Sequence, residues 1–221
     1  MLSLVYAFYD NAEMLATQYA VWASYPEDLK SQIEIILVDD GSFAAASVAR
    51  PGGLPLIRLF EIQDDIPWNQ DGARNIGAHE AANHWLLLCD MDHVVPASTL
   101  RAVLARIPKL DPWDVGNFSR VRVTGQPLSP APNILLINRE VFWDIGGYDE
   151  RLRGYYGTDI PFRKRMYASC RKVGLNLPVT VYQPSDIPDC STRGLSRSVD
   201  NLPTLDDQYQ TMLSDYREVI L

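Results

Sequence analysis

Residues 85–93 read WLLLCDMDH, an apolar run that ends abruptly in two aspartates and a histidine. Trp85 to Cys89 predicts a buried strand, because a short continuous apolar run is typical of strands inside a sheet. Asp90 and Asp92 are two residues apart at the end of that strand, so both side chains can point the same way. Converging carboxylates favour a bound Mn²⁺ or Mg²⁺, which prefer oxygen ligands. A solvated surface turn is the alternative, since Asp-x-Asp is a common tripeptide.

The first half of the chain repeats this pattern of short apolar runs and intervening helices. Strands are predicted at residues 2–8, 33–38, 54–62 and 85–89, and helices at about 11–25, 71–83 and 97–107. Such alternation indicates an α/β fold with a mostly parallel central sheet covered on both faces. Ligands of these sheets bind beyond the carboxyl ends of the strands, so Asp10, Asp39 and Asp90 are expected at one edge.

The pattern changes after about Pro112. Strands are predicted at residues 115–123, 133–138 and 173–182, and a helix at 159–172. Residues 184–203 are polar and irregular, and a loop of that length is usually either functional or disordered. We expect this loop to close over a bound ligand, with Arg193 or Arg197 reaching a phosphate, or else to be a plain connector.

Composition narrows the classes of function. The chain has 221 residues and a net charge of −8, which argues against a broad nucleic-acid-binding surface. Cys89, Cys170 and Cys190 form neither a disulfide framework nor a zinc spacing, which favours a reducing compartment. Residues 2–8 are too short to span a membrane, and neither a basic segment nor a cleavage site accompanies them. We therefore expect a cytoplasmic protein without an integral membrane segment.

Two other segments carry polar groups at predicted element ends. Asp39 and Asp40 follow the second strand in a DDGS turn, where one carboxylate could accept the ring N–H of a pyrimidine while the other braces the turn. Arg74 lies in the helix that begins DGARNIGA, and it could pair with Asp39, with Asp90 or with a phosphate. A plain turn and an exposed helix arginine are the alternatives.

The second half offers a candidate base. Thr158 can cap the helix that follows it, which makes Asp159 an early helix residue, and a carboxylate there also stabilises a helix. The functional alternative is that Asp159 takes a proton from a hydroxyl. Trp68, in a loop, could stack on a sugar. His93 directly follows the acidic pair and could contact a phosphate or a metal ion.

Taken together and in order, five segments resemble the family 2 glycosyltransferases, which have the GT-A fold. The segments are LSLVYAFYDN (2–11), IEIILVDDGS (33–42), DGARNIGA (71–78), WLLLCDMDH (85–93) and IGGYDERLRGYYGTDIPFRKRM (145–166). The resemblance implies transfer of a sugar from a nucleoside diphosphate sugar, UDP-linked in our expectation, with Mn²⁺ or Mg²⁺ as cofactor. It implies one GT-A domain, with a donor half at 1–112 and an acceptor half at 113–221 that ends in a flexible segment.

The resemblance also implies roles for residues of the donor half. Ala7, Phe8 and Tyr9 would line the nucleoside pocket, and Asp39 would hold the base. Arg74 would lie near the diphosphate and the acidic cluster.

The remaining roles concern the metal, the acceptor and the base. Asp90 would approach the ribose or the metal, and Asp92 would bind the metal directly in the DXD motif. The segment that ends in Asp149 and Glu150 would shape the acceptor side, together with Trp68. Asp159 would be the base of an inverting transfer. The acceptor could be a glycan, a lipid, a protein or a modified nucleic acid.

The chain departs from the family pattern in three places, the first being Asp10-Asn11, where the family more often has Asn followed by an acid. Thr158 occupies a position where the family usually has Glu, and no histidine follows His93 to supply the late metal ligand of many relatives. Two rival functions therefore stay open. One is an inactive relative that only binds a nucleotide-sugar or a glycan. The other is a sugar-nucleotide nucleotidyltransferase, which should carry a glycine-rich phosphate-binding segment where this chain has Asp10-Asn11-Ala12-Glu13.

Overall fold

The computed structural model describes residues 1–42, 50–129, 133–188, 202–203, 205 and 208–220, and one mixed sheet runs through them. Its strands are β1 (Leu2–Phe8), β2 (Ile33–Asp39), β3 (Leu56–Ile62), β4 (Trp85–Asp90), β5 (His93–Val94), β6 (Asp114–Arg122), β7 (Pro127–Leu128), β8 (Leu135–Asn138), β9 (Arg171–Val181) and β10 (Tyr216–Val219). The helices are α1 (Ala12–Ser24), α2 (Glu27–Lys30), α3 (Gln70–Glu80), α4 (Ala97–Arg106), α5 (Arg139–Asp144) and α6 (Asp159–Ser169), with 3₁₀ turns at Ile107–Lys109 and Glu150–Leu152. None of the described helices is both long enough and apolar enough to cross a bilayer.

The predicted strands of the first half form a block of parallel strands in the sheet. Their order is β3-β2-β1-β4, and each neighbouring pair runs parallel. Phe8 is in register with Asp39, and Ala7 is in register with Asp90. The expectation that the strand-end acids gather at one edge is therefore confirmed for Asp39 of β2 and Asp90 of β4.

The sheet has a hydrophobic core on each face, because side chains of successive strand residues point to opposite sides. Leu4 and Tyr6 of β1 pack with apolar residues of α1 and α4. Val5 packs on the other face with residues of α3, α5 and α6. Gly77 lets α3 lie against β1, since a Cβ built there would be 2.2 Å from Cγ1 of Val5.

The second half adds strands that pair mainly antiparallel. The strands predicted at 115–123, 133–138 and 173–182 are confirmed as β6, β8 and β9, whereas β5, β7 and β10 were not predicted. β8 pairs antiparallel with β4 and with β6, whereas β9 runs parallel to β6 and antiparallel to β5. β10 joins the far edge, antiparallel to β3.

One helix prediction in this half needs correction, and one helix was not predicted. α6 ends at Ser169 rather than at residue 172, because Cys170 is already extended and Arg171 pairs with Asp114 across β6 and β9. α5 was not predicted, although the Asn138 side chain caps it by accepting a hydrogen bond from Glu140 N at 2.9 Å. In the predicted ligand-closing loop, Arg193 and Arg197 lie outside the described residues.

Candidate active site

A cavity of about 220 Å³ opens where β1, β2 and β4 end. Ala7, Phe8 and Tyr9 form part of its wall, and their contact with a nucleoside stays a prediction. The turn after β4, the N-terminus of α6 and the segment that follows β9 complete the wall. The cavity thus joins the two halves of the chain at the carboxyl edge of the parallel strands, which is the usual ligand position in such sheets.

Asp90 is held by two side chains of α3. It accepts a hydrogen bond from Gln70 Nε2 at 2.9 Å and forms an ion pair with the Arg74 guanidinium. Burial raises the pKa of Asp90, and the positive charge of Arg74 opposes that rise. Of the three partners predicted for Arg74, the structure therefore shows Asp90.

Arg74 lies behind Asp90, fully buried, and α3 carries it beneath the cavity wall. Its Nη1 donates to the Tyr148 hydroxyl at 3.3 Å, and its guanidinium lies 5.4 Å from the centre of that ring. Burial alone would lower the pKa of Arg74, but Tyr148 and Asp90 outweigh burial and raise it. Arg74 therefore stays charged and holds Asp90. Its predicted contact with a diphosphate stays a prediction.

Asp92 lies at the cavity with its side chain about half exposed. One of its carboxylate oxygens is 2.7 Å from Nδ1 of His93, whose ring is buried. Burial alone would lower the pKa of His93, but the hydrogen bond and negative charge of Asp92 raise it overall.

Asp90, Asp92 and His93 form a candidate metal site. Each offers a ligand atom, and these atoms lie within 4.8 Å of one another. Two carboxylates and an imidazole suit Mn²⁺, and carboxylates also suit Mg²⁺, so the donor set fits the predicted cofactors. Which of the three residues binds an ion directly stays a prediction.

The DDGS turn places its two aspartates differently. Asp39 is buried and its Oδ1 accepts a hydrogen bond from Ser42 N at 2.9 Å, so it braces the turn. Asp40 is the one that lines the cavity, where its Oδ2 accepts from Asn69 N at 3.1 Å. Its Oδ1 is buried and has no hydrogen-bond partner among the described residues, and burial raises the pKa of Asp40 strongly.

The turn chemistry predicted that one acid could contact a ligand while the other braces the turn, but it did not say which aspartate does which. The choice depends on the backbone N–H of Asn69, which is 29 residues further along the chain.

Asp159 is the first residue of α6 and lines the cavity. Its Oδ2 is 3.1 Å from Arg163 Nε, one helical turn later, although the two atoms are not aligned as a hydrogen bond. The expected capping by Thr158 is wrong, because its side chain makes no cap bond. The residue has helical angles (φ −74°, ψ −7°) instead of the extended ones of most capping residues.

The side chain of Thr158 instead acts on Asp71 and lowers the pKa of that carboxyl. Asp71 is almost fully buried beneath the α6 N-terminus, and its Oδ2 has no hydrogen-bond partner in the part of the chain that the structure describes. Burial raises the pKa of Asp71 to about 6, against the opposing influence of Thr158 and Arg74. Sequence reasoning missed this acid, since an Asp in a first helical turn reads as ordinary helix stabilisation.

The residues predicted for the acceptor side occupy three different environments. Trp68 lines the cavity and packs edge-to-face on Tyr156, with ring centres 4.7 Å apart. Asp149 forms an ion pair with Arg151 at 2.7 Å. Glu150 is fully buried away from the cavity wall, and contact of Asp149 or Glu150 with an acceptor stays a prediction.

Glu150 fastens the C-terminal segment 208–220 to the rest of the molecule. Its carboxylate accepts from Met212 N at 2.7 Å, from Leu213 N at 3.0 Å and from the side-chain amide of Asn75 at 2.8 Å. Asn75 also donates to the Tyr148 carbonyl oxygen at 2.8 Å. One carboxylate therefore links α3, the loop before α6 and the segment that leads into β10.

Comparison with known families identifies the chain. The model of glycosyl transferase family 2 matches residues 19–173, well over half of its length. The chain belongs to glycosyl transferase family 2. This family membership agrees with the resemblance found in the sequence motifs. A search of curated proteins finds no match.

Solved structures share the fold of this family 2 chain. S. aureus TarS 1–349 superposes with a TM-score of 0.64 at 18% identity, over 84% of this chain and 61% of that one. GalNAc-T7, solved with UDP, GalNAc and Mn²⁺, gives 0.61 at 18% identity, over 83% of this chain and 44% of that one. The mannosyltransferase PcManGT of Pyrobaculum calidifontis, solved with GDP-Man and Mn²⁺, gives 0.59 at 16% identity, over 81% and 56%. The fold is GT-A, and the chain spans about three fifths of the TarS fragment.

Proposed function

We propose that the chain transfers a sugar from a nucleoside diphosphate sugar, UDP-linked in the first instance, to an acceptor hydroxyl. The observation that carries this proposal is that one cavity is lined by the acids at the ends of β2 and β4 and by Asp159 of α6. Such a transfer needs one pair of carboxylates to bind a metal ion and a separate carboxylate to accept a proton. UDP as the leaving group is supported by the complex of TarS with UDP-GlcNAc, a protein of the same fold.

The nucleoside would lie against the end of β1, with Asp40 beneath its base. The buried Oδ1 of Asp40 lacks a partner among the described residues, so a ring N–H of the base would supply the missing hydrogen bond. Asp39 keeps the turn closed instead of contacting the base. This assignment transfers the base-holding role from Asp39 to its neighbour.

The diphosphate would lie at Asp90 and Asp92. Bound there, Mn²⁺ or Mg²⁺ would neutralise the charge that develops on the leaving diphosphate. Arg74 and Gln70 fix Asp90, so its carboxylate keeps its orientation whether or not the substrate is bound.

Asp159 would accept the proton of the acceptor hydroxyl. The acceptor oxygen then forms a bond to the anomeric carbon as the bond from that carbon to the diphosphate oxygen breaks, with inversion at the anomeric carbon. Trp68 and Tyr156 lie beside Asp159 in the cavity wall and would provide an apolar surface for a sugar ring.

Asp159→Asn tests the transfer directly. We expect turnover to fall by about 10³-fold, because general base catalysis contributes on that order, while the affinity for UDP changes little. Sugar transfer and UDP binding are measured on the same preparation. Asp114→Asn is the matched control, since it removes another buried, arginine-paired acid that lies away from the cavity.

The inactive nucleotide-sugar-binding relative is the second candidate, favoured by Thr158 where the family usually has Glu. It requires that the wild type bind UDP-sugar without transferring or hydrolysing it. Wild-type turnover that Asp159→Asn does not reduce would instead remove Asp159 from the mechanism.

A further inference from the structure

We call the turn after β4 (residues 90–93) the metal turn. Three consecutive carbonyl groups in it accept hydrogen bonds from donors outside the turn. Gln18 Nε2 donates to Met91 O at 2.8 Å and to His93 O at 2.9 Å. The carbonyl oxygen between them, that of Asp92, accepts from Tyr182 N at 2.9 Å. The backbone on both sides of Asp92 is therefore held by α1 and by the end of β9.

Gln18 is an unusual residue for its position. It is fully buried on the face of α1 that carries Met14, Leu15, Tyr19 and Trp22 into the core. Burial of an amide among apolar side chains is unfavourable unless its polar atoms are hydrogen-bonded. Its Oε1 has no hydrogen-bond partner within the described ranges, so only half of the amide is satisfied. An apolar side chain of the same length would suit the core better.

The chemistry of the turn fixes how the amide is oriented. Met91 and His93 both present carbonyl oxygens, which accept hydrogen bonds and cannot donate them. Only the NH₂ end of Gln18 has two hydrogens to offer, so it must face the turn. Because the NH₂ end bonds to these two carbonyl groups, the Oε1 end stays buried without a partner in the described part of the chain, which is unfavourable in free energy.

We propose that Gln18 is a positioning residue for metal binding, which holds the backbone of Asp92 so that its carboxylate faces the cavity before an ion arrives. Asp90 is fixed from α3 by Arg74 and Gln70, whereas Asp92 is fixed from α1 on the other face of the sheet. The proposal rests on the metal dependence of the proposed function.

Preorganisation is the physical reason for the effect. The Asp92 side chain is about half exposed, and its hydrogen bond to His93 involves a neighbour in the same turn. If the turn could move, ordering it would reduce the free energy gained on binding the ion. Loss of groups that orient metal ligands typically weakens metal affinity by about 10- to 100-fold.

Gln18→Met provides the test, because methionine keeps the length of the side chain and lacks both donors. Free Mn²⁺ is measured by electron paramagnetic resonance during titration of the full chain, with and without UDP. We expect the Kd for Mn²⁺ to rise about tenfold, and the Mn²⁺ concentration for half-maximal transfer to rise with it while kcat at saturating Mn²⁺ stays close to wild type. If Gln18→Met does not fold, Gln18→Asn, whose amide is one methylene too short to reach the turn, takes its place with the same expectation.

Thr99→Val is the matched control. Thr99 is also a buried helix residue, and its hydroxyl donates to the Pro178 carbonyl oxygen at 2.7 Å, away from the metal turn. We expect this variant to lose stability but to bind Mn²⁺ within about twofold of wild type. A Kd for Mn²⁺ that is unchanged in the Gln18 variant, with wild type binding the ion, overturns the proposal and leaves the proposed function standing. Absence of Mn²⁺ binding by wild type, with or without UDP, overturns both.

Discussion

The metal turn and the C-terminal segment are held in place in different ways. The metal turn follows a buried strand in the centre of the sheet and is fixed by α1, α3 and β9. The C-terminal segment 208–220 meets the body of the molecule largely through β10 at the sheet edge and through the buried carboxylate of Glu150. Several elements share the task in the first region. In the second, the one carboxylate of Glu150 accepts from both Met212 N and Leu213 N, while Arg151, Arg165 and Asn69 make single further contacts. The loss of one side chain should therefore have a local effect in the first region and a wider effect in the second.

Glu150→Gln should produce the largest change in stability. The substitution keeps the shape but replaces one acceptor oxygen with an NH₂ donor, so a backbone N–H of Met212 or Leu213 is left without its acceptor. We expect the free energy of unfolding to fall by about 3 kcal/mol, because a buried backbone donor loses its acceptor. Urea unfolding measures the loss, and hydrogen exchange should show it concentrated in residues 208–220.

Glu218→Gln is the control for that prediction. Glu218 pairs with Arg58 on the exposed surface of β10, so its loss should cost less than about 1 kcal/mol. Equal losses in the two variants would contradict the central role of Glu150.

Asp71→Asn should change how stability depends on pH. The folded-state pKa of Asp71 is raised to about 6 from an ordinary 3.8, so the folded chain binds this proton more tightly than the unfolded chain does. Its contribution to stability is therefore full below about pH 4 and is lost as the pH rises to about 6.

The neutral asparagine lacks this dependence. The stability of Asp71→Asn relative to wild type should rise between about pH 4 and pH 6, by at most about 3 kcal/mol. Urea unfolding at a series of pH values checks the slope. A difference that is constant over this range would mean that Asp71 titrates normally.

Asp40→Asn should have the smallest of these effects, on ligand affinity. The amide can present its NH₂ group where the base N–H would lie, so we expect UDP to bind about tenfold more weakly, equivalent to one lost hydrogen bond. Asp39→Asn keeps an oxygen for Ser42 N and should bind UDP like wild type. Calorimetric titration compares the two variants, and the opposite order would restore the base-holding role to Asp39.

The same contrast explains what the sequence could predict. The positions of β1 to β4 and of the acids at their ends can be predicted, because each of these strands is a short apolar run in the sequence. The second half depends on contacts between distant residues, such as the bonds from Asn75 and Met212 to Glu150, which leave no periodic signal.

Within the site, residue types were easier to predict than the face or the partner of each residue. Asp90 and Arg74 were expected near each other, and the structure pairs them. The brace from Gln18 and the burial of Asp71 could not be predicted, because a glutamine or an aspartate in a helix normally faces water.

Binding of UDP with and without Mn²⁺ tests whether the strand-end acids form the diphosphate end of a nucleotide-sugar site. Thermal unfolding is followed for wild type and for Asp92→Asn. We expect saturating UDP to raise the wild-type melting temperature by roughly 5 °C only when Mn²⁺ is present, and Asp92→Asn to lose this rise. A rise that is equally large without the metal, or that survives in Asp92→Asn, would contradict a metal-bound diphosphate at these acids.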